Sequence, residues 1–121
     1  MSMDFAVSAD EVVQSSVALT KCLPDAMAGF AGLGKGAYAD KVLSRKYKEL
    51  IALALGVAAR CDGCVAYHAK KVADLGATRE EVLETLGVCV QMGGGPSMVY
   101  GGEALRAYDW FVAEKQAKDA A

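Results

Sequence analysis

Absent from the sequence are a basic stripe, a membrane-length apolar run, a strand-like alternation and a secretory leader. Nucleic-acid binding needs lysines and arginines gathered along one face. Here the net charge is −2, and the nearest group, Arg45, Lys46 and Lys48, is interrupted by Tyr47 and closed by Glu49. Those charges read as the solvated side of a helix, and no nucleic-acid partner is expected. The longest apolar run, Leu50 to Ala59, contains Gly56 and is about half of a membrane span, so no membrane partner is expected either. Met1 to Asp10 has no basic region leading into an apolar stretch, which points to a cytoplasmic protein. Four cysteines without a leader are not a disulfide framework. They need another explanation, above all where two of them sit three residues apart.

Apolar residues are abundant. They make up 54% of 121 residues, against 23% charged, enough for one core and too short a chain for two ordinary domains. A single domain spanning residues 1–121 is the expected organisation. A helical monomer of this size would struggle to hide so much apolar surface, so part of it is expected to lie between copies of the chain.

Helical signals run the whole length. Ser8 to Glu11 has the form of a capping box, and a helix is expected over about residues 9–22. Pro24 is placed to open a second helix with Met27, Phe30 and Leu33 on one face, which the glycines at 32, 34 and 36 are expected to end. After Ser44, Tyr47, Leu50, Ile51, Ala54 and Leu55 recur at three and four residues over 45–59, an amphipathic helix that should be central. Another is expected over 62–75, ending at Gly76. Thr78 to Glu81 is a second capping box, with Val82, Leu83, Leu86 and Val90 expected inward. Gly93-Gly94-Gly95 breaks the chain, and Pro96 opens a last helix carrying Met98, Val99, Ala104, Leu105, Tyr108 and Phe111, fraying from Glu114. The fold class is all-α, with about six helices.

Chemistry concentrates at Cys61-Asp62-Gly63-Cys64. Cysteines three apart at a helix start can approach within disulfide range. Free backbone N–H groups and the positive end of the helix dipole there favour thiolate. His68, the only histidine, follows Cys64 by four residues and shares its helix face. It can take the thiol proton and then stand as imidazolium beside the thiolate. Glu49 is the next candidate. On an unbroken helix it would lie ~18 Å from Cys61 along the axis and ~120° around it, so contact requires the chain to turn at Arg60 to Gly63.

Glu49, eleven residues, Cys61-x-x-Cys64, three residues and His68 together resemble the alkylhydroperoxidase D-like (AhpD-like) and carboxymuconolactone decarboxylase superfamily. The likeness continues through Lys48 to Leu53 and through Gly76-Ala77-Thr78 to Pro96, covering roughly residues 20–112. It implies an all-helical fold, a homo-oligomer (trimer or hexamer) and a redox role without a cofactor. In the peroxidase branch the dithiol reduces hydroperoxides, or passes electrons from a lipoyl- or thioredoxin-like dithiol donor. Carried over, the catalytic set is Cys61, Cys64, His68 and Glu49: Cys64 the activated thiol, Cys61 its resolving partner, and His68 with Glu49 a proton relay, although the helix dipole favours Cys61 at least as well and leaves the order of the two open. Some members carry a histidine just before the second cysteine, where this chain has Gly63. A relay here works without it.

Two other readings stay open at this point. One is a lyase acting on a muconolactone-like carboxylate, which would not need the cysteine pair. The other is a non-catalytic oligomeric module, with zinc on Cys61, Cys64, His68 and Glu49 as its metal-bound form. Closed zinc sites draw on a second Cys/His pair, which is missing nearby, so no metal is expected. Glu49 could also be an outer member of the Arg45/Lys46/Lys48 group. Cys22 and Cys89 stand among apolar neighbours and are expected to be buried structural residues. The glycines at 93–95 lack the flanks of a phosphate loop. Met92, Met98, Tyr100 and Trp110 are expected in the core, at an interface or beside the dithiol.

Overall fold

The computed structural model describes residues 4–121; the first three residues of the Met1–Asp10 stretch lie outside it. Six helices account for nearly all of the described chain: α1 Phe5–Cys22, α2 Pro24–Tyr38, α3 Arg45–Ala58, α4 Asp62–Asp74, α5 Arg79–Gly93 and α6 Gly95–Ala120. The α4 helix is the hub, packed against α1, α3 and α6, while α5 rests on α6 and α3. Its inner face is Val65, Ala66, Ala69, Val72 and Ala73, small enough to let three neighbours approach closely. Leu50, Leu53 and Val57 of α3, Val82 and Leu86 of α5, and Ala104, Ala107, Tyr108 and Phe111 of α6 complete the core. The Tyr108 hydroxyl donates to the Ala77 carbonyl at 2.6 Å, tying α6 to the turn between α4 and α5.

Most helix ends fall where local chemistry puts them. Ser44 caps α3, and the Thr78/Glu81 capping box forms in full at α5. Gly76 and Gly94 adopt positive φ, 77° and 67°, at the ends of α4 and α5. The first cap differs from expectation: Asp4, not Ser8, caps α1 by accepting from Val7 N–H at 3.1 Å. Aspartate is an equally good cap, and the added turn brings Phe5 and Ala9 onto the core. The glycines of α2 do not end that helix, which continues to Tyr38. Glycine costs a helix about 1 kcal/mol against alanine but stops it only by turning left-handed, and none of these does so. Nor does α6 fray from Glu114; it runs on to Ala120.

Which apolar residues face inward also differs in part. Cys89 joins Val82 and Leu86 in the core, whereas Leu83 and Val90 are exposed. Ile51, Leu55, Met92, Met98 and Val99 are exposed too, as are Phe30 and Leu33 of α2, a helix with no buried residue. No helix among the described residues is long and apolar enough to cross a membrane.

Candidate active site

The turn between α3 and α4 builds the site. Its α3 end closes with two paired bonds, Cys61 N–H to Gly56 carbonyl and Arg60 N–H to Val57 carbonyl, both 3.1 Å. That closure requires a left-handed residue, and Arg60 takes the role at φ 55°. The chain reverses there, and Cys61 becomes the N-cap of α4, its Sγ accepting from the Cys64 N–H at 3.2 Å. Cys61 and Cys64 are joined as a disulfide with Cα atoms 5.2 Å apart. The pair is wedged between helices. A Cβ on Gly56 would lie 3.2 Å from the Cys64 Cβ, so α3 supports Cys64 through a residue without a side chain.

The same reversal brings Glu49 to His68. His68 Nδ1 and Glu49 Oε1 are 2.6 Å apart, and Glu49 is only 2% exposed. Burial removes Glu49 from the solvated Arg45/Lys46/Lys48 group, although Arg45 Nη2 still lies 3.7 Å from its Oε2. Where Nδ1 donates to the carboxylate, Nε2 is the ring nitrogen left to accept a proton. Tyr67 packs edge-on against the imidazole, ring centroids 5.1 Å apart, and Tyr38 from the end of α2 lies over it at 6.2 Å. Neither tyrosine was legible as a site residue, because aromatic spacing carries no sign of which ring meets the histidine. Burial, and then the nearby Glu49 charge, push the Tyr38 hydroxyl pKa up, so it stays a neutral phenol.

Gly63 is explained by α1. A Cβ there would come within 2.9 Å of Val12 Cγ2, so the position admits no histidine while the stiff Val12 stands opposite it. The other cysteines part company. Cys89 is buried, its thiol pKa pushed up by desolvation. Cys22, expected to be buried, is exposed, because α1 meets the core through Phe5 and Ala9 near its start and the end of the helix runs clear of it. Among the described residues no three His, Cys, Asp or Glu side chains are placed to hold a metal ion.

A family model described as the carboxymuconolactone decarboxylase family matches residues 24–107, from the start of α2 well into α6. The chain belongs to the carboxymuconolactone decarboxylase family. It thereby falls in the AhpD-like superfamily. A family member from Legionella pneumophila, solved without ligand, superposes with a TM-score of 0.88 at 44% identity, covering 92% of this chain and 99% of that one. Another from Thermotoga maritima shares the fold at a TM-score of 0.71 and 23% identity, over 86% and 95% of the two chains. An uncharacterized protein of Cupriavidus necator is 38% identical over 109 residues, 90% of this chain and 96% of its own length. An uncharacterized protein from a cox locus of Paracoccus denitrificans is 32% identical over 80 residues, 66% and 72% of the two chains. In this family member α3 and α4 carry a Cys61–Cys64 disulfide at the α4 start and a bonded His68–Glu49 pair between the two helices.

Proposed function

We propose that this protein is a thiol-dependent oxidoreductase that reduces hydroperoxides with the Cys61–Cys64 dithiol and is itself reduced by a dithiol donor of lipoyl or thioredoxin type. One observation carries the reading: a disulfide-forming pair at a helix start, with His68 one turn on and bonded at 2.6 Å to a buried glutamate. A lyase would not need the cysteine pair.

In the reduced protein, His68 Nε2 takes the Cys64 proton, and Glu49 sets a negative charge against the imidazolium that forms. The Cys64 thiolate attacks the distal peroxide oxygen. The O–O bond breaks, Cys64 becomes a sulfenic acid, and the leaving alkoxide takes the proton from His68 to depart as an alcohol. Cys61 then displaces water from the sulfenic acid and closes the disulfide. Two thiols are oxidised and one peroxide is reduced to alcohol and water. A donor dithiol restores the pair by exchange, becoming a disulfide itself. Cys61, the N-cap of α4, is proposed as the sulfur that the donor attacks.

The test is mass spectrometry of the reduced protein before and after one equivalent of an organic hydroperoxide. Loss of two hydrogens, mapped to Cys61 and Cys64 and reversed by dihydrolipoamide, is expected. Cys64→Ser should abolish it, and Cys22→Ser should not. An unchanged mass would rule out the peroxidase reading.

A further inference from the structure

The geometry points to Tyr38 as a positioning residue of the relay: its ring, carried by the end of α2, holds the His68 imidazole against Glu49. This inference rests on the proposed role of His68 as the base for Cys64.

The α2 helix has no buried residue and packs on α1 and lightly on α3. Its apolar side chains, Phe30 and Leu33, point to solvent. Tyr38, like Met27, is less exposed. It is half-buried, and its ring lies 6.2 Å from the His68 ring at 31°, a tilted stack rather than an edge contact. Tyr67 meets the same imidazole edge-on at 89°, so the two phenol rings confine it in two directions. Fixing a ring this way matters because the Glu49 bond leaves His68 free to swing about one contact, and a base must stay aligned with its thiol.

The end of α2 is fastened where this requires. Lys48 of α3 donates to the Ala39 carbonyl at 2.7 Å, and Asp40 accepts from the Arg45 N–H at 2.6 Å. Both anchors come from the helix that carries Glu49, so the tyrosine and the carboxylate are placed by one element. The charged and titratable groups facing Tyr38 are Glu49 and Arg45 from α3 and Tyr67 from α4. The Tyr38 hydroxyl bonds to none of them, and packing of the ring is what it contributes.

The experiment follows the pH dependence of Cys64 alkylation in the reduced protein, resolved from Cys61 by peptide fragmentation, alongside the rate of disulfide formation with an organic hydroperoxide. Tyr38→Ala and Tyr38→Leu are expected to move the alkylation midpoint towards higher pH and to slow the peroxide step about tenfold, a partial loss of alignment. Tyr38→Phe, which keeps the ring, is expected to match the wild type in both. His68→Asn is the reference, and must move the midpoint at least as far as Tyr38→Ala. If His68→Asn moves it and Tyr38→Ala and Tyr38→Leu do not, the inference about Tyr38 is wrong and the relay stands. If Tyr38→Phe behaves as Tyr38→Ala does, the hydroxyl and not the ring acts, which also overturns it. If His68→Asn moves nothing, the proposed function itself fails. Tyr38→Leu guards against collapse of the alanine variant, since it retains bulk at the α2 end.

Discussion

Glu49 on α3 and Glu103 on α6 are both almost fully buried, 2% and 1% exposed, and each has an arginine within one helical turn. Their surroundings differ. Glu49 has His68 from another helix on one oxygen and Arg45 near the other. Among the described residues Glu103 has only Arg106, three residues along its own helix and largely exposed, and its Oε2 finds no hydrogen-bond partner. A buried carboxylate is costly unless its oxygens are satisfied. The difference teaches that a carboxylate with a partner from a second helix is part of a built arrangement. One served by its own helix alone is held in place by the packing around it.

The comparison can be broken most forcefully at Glu49. Glu49→Gln, which keeps the shape and removes the charge, is expected to lower the rate of peroxide-driven disulfide formation by roughly 100-fold, the low end of general-base effects. Glu103→Gln should leave that rate as it is. Stopped-flow rates of the two variants decide it, and equal losses would mean that Glu49 has no special place in the site.

Arg106→Ala comes next. It strips Glu103 of its partner, and about 1–3 kcal/mol of stability should be lost. Denaturant unfolding reads this as a lower midpoint with unchanged slope, and an unmoved midpoint would mean that Arg106 does nothing for the buried charge. The smallest effect is expected from Arg45→Ala. His68 still holds the carboxylate and the exposed arginine stands 3.7 Å away, so the loss should stay below about 1 kcal/mol. A larger drop would show that Glu49 depends on its own helix as Glu103 does.

Local rules explain what could be read along the chain. The helix starts at Ser44, Cys61 and Thr78 and the stops at Gly76 and Gly94 follow from caps and left-handed turns that involve a few neighbouring residues. The shared face of Cys64 and His68 follows from helical spacing alone. Where reading failed, competing local solutions were nearly equal or nothing local decided. Asp4 and Ser8 are both good caps, and the core contacts of Phe5 and Ala9 chose between them. Apolar periodicity marked Ile51, Leu83 and Val90 as inward, yet only the placement of neighbouring helices decides which part of an apolar stripe is covered.

By itself, then, the sequence determined an all-helical chain, a dithiol at the cap of a helix and a histidine one turn beyond it. All of these depend on contacts within four residues, where backbone geometry leaves little choice. Tertiary structure alone decided that Glu49 meets His68 across nineteen residues, that Tyr38 lies over the imidazole and that Val12 fills the space beside Gly63. Those contacts depend on how helices cross, and small residues set the crossing: Gly56 lets α3 close on Cys64 and Val65 of α4, and Ala66 is fully buried on the inner face of α4.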